Sequence, residues 1–251
     1  MAGLSADDLL TIWEEGQGRS PLHQALVMLT VAYPTQSAEQ LTQLSIEQRD
    51  LQLLTLREQT FGSQLQSVAA CPACQEQLEF LLSVRDICDP TMLINMGLPA
   101  TEHEVEVEGY TLTFRLPTSE DLLAVQQANG ETVGQDASQK ILQRCLLKAT
   151  HREEVMTWAA LPDAVQVSFR AALAAAAPQA EILLSLACPA CEHQWSLLFD
   201  IVSYFWREIA AQAQRLLQEV HVLARAYGWR EADILAMSAA RRRSYLAMVG
   251  A

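Results

Sequence analysis

Two copies of one short pattern, their first cysteines 117 residues apart, constrain this 251-residue chain more than any other feature. The first runs from Leu65 through Ala70 into Cys71-Pro72-Ala73-Cys74, then Gln75 to Phe80. The second runs from Ile182 through Ala187 into Cys188-Pro189-Ala190-Cys191, then Glu192 to Leu197. Each reads as an alternating strand, a Cys-Pro-Ala-Cys turn and a returning strand. One pair of cysteines at this spacing carries little information. Two pairs supply four thiolates, the number that closes a tetrahedral structural zinc site. Such a site leaves no position open for water or substrate, so it acts as a staple and the function lies elsewhere.

The remaining composition narrows the class. Half the residues are hydrophobic, enough for one large or two small domains, and six cysteines are too few for a disulfide-dense secreted scaffold. The start, Met1 to Asp8, has no basic region followed by an apolar core, so no signal peptide is expected. No apolar run is long enough for a membrane span, and direct membrane insertion is not expected. These features predict a cytoplasmic, reduced protein. The net charge of −13 opposes binding to phosphate backbones, so no nucleic-acid partner is expected. Residues 1–199 carry 10 basic and 25 acidic side chains, whereas residues 200–251 carry 7 and 5. The tail is therefore the part suited to meet an acidic neighbour, the chain's own body included.

The pattern along the chain predicts helices over 4–16, 20–33 and 45–59, the first opened by Ser5 with acids in its first turn. Residues 78–84 return as a strand, and Asp89-Pro90 breaks the chain. Residues 102–116 read as a hairpin turning at Gly109, with Glu104, Glu106 and Glu108 on a solvated face. Thr118 caps a helix with Asp121 three residues on, a variant of the capping box. Helices are expected over 119–128, 137–149 and 161–176, with a loop over 129–134. From Val202 to Tyr227, apolar residues step by three and four along a helix about 40 Å long, ended by Gly228. That seam either packs on the chain's own body or docks a partner. A short helix over 231–237 and a last one capped by Ser238, carrying Arg241, Arg242 and Arg243, complete the tail.

The candidate metal ligands are Cys71, Cys74, Cys188 and Cys191, holding one structural Zn2+ per chain. Pairing two distant knuckles makes the helices between them an insertion. Zinc knuckles commonly place glycine after the second cysteine, where this chain has Gln75 and Glu192, so a left-handed backbone there would be strained. A redox role for Cys-Pro-Ala-Cys needs a strand feeding a helix, and alternating residues follow both motifs instead. Cys88 and Cys145 read as buried small hydrophobes. His193, beside Cys191, reads as a surface or supporting residue. No phosphate loop, zinc-protease His-Glu pair or nucleophile elbow is present, so no catalytic or cofactor-binding residue is assigned and an enzyme is not expected.

Three stretches resemble a known family: Leu53 to Glu58 through Phe61-Gly62 into the first knuckle and Phe80; Cys188 to Phe199 with Asp200-Ile201 and the long helix; and Ala226 to Leu235 with Arg241 to Leu246. They resemble the T-even-type phage baseplate protein family, as it occurs in bacterial phage-tail-like contractile injection systems. The resemblance implies a non-enzymatic baseplate component or hub assembly factor, with other baseplate, hub or spike proteins as partners. It supplies no catalytic residues, and zinc rests on the cysteine spacing alone. A zinc-ribbon adaptor in transcription is the alternative; it predicts a basic, aromatic patch at the knuckles, where Glu76, Glu79 and Glu192 stand instead. The expected fold is α+β: an N-terminal helical segment over 1–62, a split zinc-ribbon β region with a hairpin and helical insertion over 63–199, and a C-terminal helical tail over 200–251.

Overall fold

The computed structural model describes residues 3–87, 102–129 and 135–249. Four helices come first: α1 (Ala6–Gly16), α2 (Pro21–Ala32), α3 (Ala38–Thr42) and α4 (Ile46–Phe61). The first knuckle hairpin, β1 (Gln64–Ala70) and β2 (Gln77–Ser83), is followed by α5 (Val84–Ile87). Then come β3 (His103–Val107), β4 (Tyr110–Phe114), α6 (Ser119–Asn129), α7 (Gln135–Cys145), β5 (Leu146–His151), β6 (Glu154–Val155) and α8 (Asp163–Ala176). The second knuckle hairpin, β7 (Ile182–Ala187) and β8 (Gln194–Phe199), leads into α9 (Ile201–Tyr227), α10 (Glu231–Leu235) and α11 (Ala239–Val249). Helices and small antiparallel sheets make the fold α+β. The loop expected over 129–134, Cys88 and the Asp89-Pro90 break fall wholly or mostly outside the described residues.

The chain divides into two compact units. One gathers the residues up to Thr35, Leu53–Gly62 and the residues from Asp200 on; the other comprises Gln36–Gln52 and Ser63–Phe199. In the first, which is all helical, α9 packs against α1, α2, α10 and α11. The seam of α9 is buried there: Val202, Phe205, Ile209, Ala213, Leu216 and Leu223 are all covered. Of the two readings of the seam, packing within the chain is the one realised. Gly16 lies so close to Trp206 that a Cβ on it would meet the indole ring at 2.4 Å. The buried Arg57 holds Glu208 bidentately at 2.7 and 2.8 Å and donates to the Gly62 carbonyl at 2.6 Å. Arg242 does the same for the tail, pairing with Glu219 of α9 at 2.8 Å and donating to the Met237 carbonyl. Of the three consecutive arginines only this one is buried.

Among the described residues the second unit holds three antiparallel sheets, two of them the knuckle hairpins. The third has strand order β3-β4-β5-β6. Its core is Leu112, Phe114, Leu142, Cys145, Ala149, Leu161, Val165 and Phe169, with Phe114 and Phe169 edge-to-face at 5.4 Å. Glu108 and Gly109 both have positive φ, as a two-residue hairpin turn of type I′ requires. Glu104 and Glu106 face solvent from β3, as the alternation predicts, whereas Glu108 is exposed in the turn beyond the strand.

Strand β5 departs from expectation. The helix expected over 137–149 ends at Cys145, and Leu146–His151 pairs with β4. Leu142, Cys145, Leu146 and Ala149 continue a three-and-four spacing, so local periodicity favours helix. Pairing with β4 overrides it, since strand formation depends on the neighbour offered more than on intrinsic preference.

Thr118 and Asp121 form the expected reciprocal cap: the Thr118 N–H donates to the Asp121 carboxylate at 3.0 Å, and the Asp121 N–H to the Thr118 hydroxyl at 3.3 Å. Asp121 also accepts from Arg115 at 2.6 and 2.8 Å and from Arg144 at 2.7 Å, tying the end of β4 to α6 and α7. Burial opposes its charge, but the two guanidinium groups and the Thr118 N–H outweigh it and hold the carboxyl well below the usual carboxylate range. A group depressed in this way stabilises the fold above the ordinary carboxylate pKa, and that stability is lost as pH falls toward the depressed value. Asp121→Asn should therefore cost about 2–4 kcal/mol near neutral pH, below the full penalty for a broken buried pair because both arginines reach solvent. Acid unfolding followed by circular dichroism checks this: the variant's stability should depend less on pH below about 4 than the parent's.

Candidate metal centre

The local chain builds each knuckle in the same way. In the first, the Cys71 N–H donates to the Glu76 carbonyl at 2.8 Å and the Gln75 N–H to the Cys71 carbonyl at 2.9 Å. In the second, the Cys188 N–H donates to the His193 carbonyl and the Glu192 N–H to the Cys188 carbonyl, both at 2.9 Å. Each turn closes at the residue after its second cysteine, and that residue is left-handed: Gln75 at φ 64° and Glu192 at φ 59°. The strain anticipated from the missing glycines is present at both positions. After each knuckle the chain continues as a strand, β2 or β8, so neither motif sits at a helix N-terminus.

The turns bring all four expected ligands together. The sulfurs of Cys71, Cys74, Cys188 and Cys191 lie within 4.8 Å of one another. The shortest approaches cross between knuckles: Cys71 to Cys191 at 3.7 Å and Cys74 to Cys188 at 3.6 Å. None is in a disulfide. A tetrahedral ion with sulfurs about 2.3 Å away would place them about 3.8 Å apart, which these spacings approach. Cys71 and Cys188 are buried, whereas Cys74 and Cys191 are exposed, so the cluster sits at a surface with one ligand of each knuckle turned inward.

Crowding four thiols sets their chemistry. Burial disfavours the Cys71 thiolate, but the backbone N–H groups of Cys74 and Ala73 and the neighbouring thiols favour it, and the group comes down to about 7. At Cys74 the Glu76 N–H favours ionisation, yet the adjoining Cys191, burial and the other two sulfurs prevail and push the thiol up to about 12. Cys191 is raised despite the His193 N–H. One negative charge forms readily and the next is resisted, as expected where like charges share a site. A cation at the centre removes that conflict, so the donor set fits a metal ion and suits a soft or borderline one.

Other residues marked in the sequence take no part. His193 contributes its backbone carbonyl, while its exposed ring faces Trp195. Cys145 is buried in the sheet core, where burial, with Asp121 nearby, pushes its thiol up to about 12. Sequence reasoning missed the carbonyls of Glu76 and His193, which stand two residues after the second cysteine of each knuckle. Their shared register was the available signal. Among the described residues no other group of His, Cys, Asp and Glu is gathered for a metal.

Two hairpins within a helical and antiparallel framework thus bring four sulfurs together in a cluster that could hold a metal ion. The family model described as T4 bacteriophage base plate protein matches residues 8–206, from α1 into the first turns of α9, and the chain belongs to that family. Both knuckles lie inside the matched region; the resemblance noted over 226–246 lies outside it. No curated protein and no solved structure gives a significant match.

The left-handed positions generate a direct test. Gln75→Gly and Glu192→Gly each relieve a side chain from a backbone region that disfavours it, at the expense of a more flexible unfolded chain. Each should raise stability by roughly 0.5–1 kcal/mol in urea unfolding. A loss of stability at both positions would show that the side chains contribute contacts that outweigh the strain.

Proposed function

We propose that this chain is a non-enzymatic baseplate component or baseplate assembly factor of a phage-tail-like contractile injection system, stapled by one structural Zn2+ on Cys71, Cys74, Cys188 and Cys191. The observation that carries the reading is the family match over residues 8–206. Its partners are other baseplate, hub or spike proteins of the particle. The protein is made and assembled in the cytoplasm; no described helix is long and apolar enough to cross a membrane. The four-sulfur centre supports a role in holding shape, because four protein ligands saturate a tetrahedral ion and leave none of its positions for substrate.

Zinc fits because it prefers tetrahedral sulfur and has no redox chemistry of its own. Its binding releases thiol protons, so the site should empty as pH falls. The purified chain should carry one zinc by elemental analysis. Replacing Cys71 and Cys188 together with serine should abolish that zinc and lower the melting temperature by roughly 10 °C or more, since metal binding contributes to folding energy. Unchanged melting in the zinc-free variant would remove the staple from the reading.

Function is tested by tagging the full chain in its native host, then fractionating whole particles and subcomplexes for mass spectrometry. Co-purification with sheath, tube or baseplate subunits is the expected result. Recovery in finished particles identifies a component; recovery confined to subcomplexes identifies an assembly factor. Recovery with transcription or ribosomal machinery alone would overturn the proposal.

A further inference from the structure

Charge and apolar surface are distributed unevenly in this molecule. The sheet-bearing unit carries 8 basic and 20 acidic residues, so nearly all of the chain's net −13 resides there. Its sheets also treat their edges differently. The four-stranded sheet is guarded on both sides: β3 carries Glu104 and Glu106, and β6 begins at Glu154. The hairpin of β7 and β8 has no such guard. Neither strand, Ile-Leu-Leu-Ser-Leu-Ala or Gln-Trp-Ser-Leu-Leu-Phe, contains a charge or a proline. Their ladder runs from Ile182–Phe199 to Ala187–Gln194 without a bulge.

Strand β8 is the less covered of the two. Four of its six residues are large and apolar, and none is buried. Leu197 and Leu198 point to opposite faces yet remain 36% and 57% exposed, and Leu198 stands directly across from Leu183, itself 61% exposed. A shallow groove of about 400 Å³ over the same hairpin is lined by Ser185, Leu186, Ala187, Gln194, Trp195 and Ser196. Among the described residues β8 pairs only with β7, so its outer backbone edge has no strand beside it. An uncharged, largely apolar edge without a bulge templates pairing with another chain unless something covers it.

We infer that the outer edge of β8 is a docking site for an extended segment of a partner protein, which adds to the hairpin as a third strand. The inference rests on the baseplate reading for the partner's setting and goes beyond it in naming the surface and the chemistry. Main-chain hydrogen bonds supply part of the affinity, and alternate apolar side chains of the incoming segment cover Leu198 and lie along the groove at Ser196, on the same face of β8. The rim selects the partner's charge. Exposed Glu181 and Glu192 stand before β7 and at the knuckle turn, within a strongly acidic unit. The incoming segment is therefore apolar in alternation and flanked by lysine or arginine, and its docking weakens as salt is raised.

The test uses the full chain in its native host, with a photo-crosslinking phenylalanine analogue in place of Leu198 and crosslinked peptides mapped by mass spectrometry. The expected product joins this position to an alternating apolar segment with basic flanks in another baseplate protein. In parallel, the double substitution Ser196→Lys and Leu198→Lys guards the edge. It should lower recovery of the chain in particles or subcomplexes by tenfold or more, with zinc content and melting temperature unchanged. Glu104→Lys, on the guarded sheet, should leave recovery unaltered.

Three results overturn the inference: full recovery of the double variant, crosslinks to a second copy of this chain, or no crosslink to any protein. A crosslink to a basic, apolar extended segment of a protein outside any baseplate would uphold the docking edge and overturn the functional reading. Co-purification with baseplate subunits but no crosslink would do the reverse.

Discussion

The convergence of two knuckles separated by more than a hundred residues is the constraint on which the sheet-bearing unit depends. A two-stranded hairpin is marginally stable by itself, and this unit contains two of them. Between Cys74 and Cys188 the described residues include the four-stranded sheet and three helices of ten residues or more. Closing so long a segment costs only modestly more entropy than closing a short one, because the cost grows with the logarithm of its length. Fixing four sulfurs at one point therefore recovers a large return for that cost. A cation held by all four would anchor both hairpins at their tips and keep the two ends of the insertion near each other.

The sequence made this centre legible because its determinants are local and repeated. Each knuckle needs a strand, a proline-bearing turn and a second strand, and each appears within about ten residues. The same locality exposed the Thr118–Asp121 cap, the Gly228 helix end and the Glu108-Gly109 turn, at which the backbone is left-handed on both residues. What escaped notice depends on partners distant in sequence. Strand β5 exists because β4 offers it an edge, while its own residues keep a helical spacing. The third and fourth ligands of Asp121's network, Arg115 and Arg144, likewise carry no local sign of where they meet. Nothing local marks Arg57 as the buried anchor of Glu208, 151 residues away.

The helical unit shows why an amphipathic pattern alone does not identify a docking helix. The seam of α9 could have served a partner, yet α1, α2, α10 and α11 cover it. Two buried arginines then complete what the apolar contacts leave open. Arg57 and Arg242 each pair with a glutamate of α9 and each also caps a backbone carbonyl, at Gly62 and Met237. A buried charge is costly unless its partner and its remaining donors are satisfied, and both conditions are met here. These arginines fix where the tail and the end of α4 lie along α9, a specificity that leucine contacts, being non-directional, do not supply.

Surfaces for partners must then be sought where apolar area is left uncovered, and the knuckle hairpins are such a place. An ordinary two-stranded ribbon is stabilised by laying one face on a core, which leaves little to offer another chain. A ribbon held at its tip by metal–sulfur bonds needs less of that cover. With a cation on the four sulfurs, part of the stability comes from the tip, and β8 can keep tryptophan, leucine and phenylalanine side chains partly in solvent without unravelling. The proposed staple and the unguarded edge would in this sense be one design: a cation at the hairpin tip would let a strand with little cover of its own remain available for pairing. The same logic explains the acidic setting. An apolar edge in a neutral surround would invite association with any chain, its own copies included, whereas a net charge of this size repels copies and admits a basic partner.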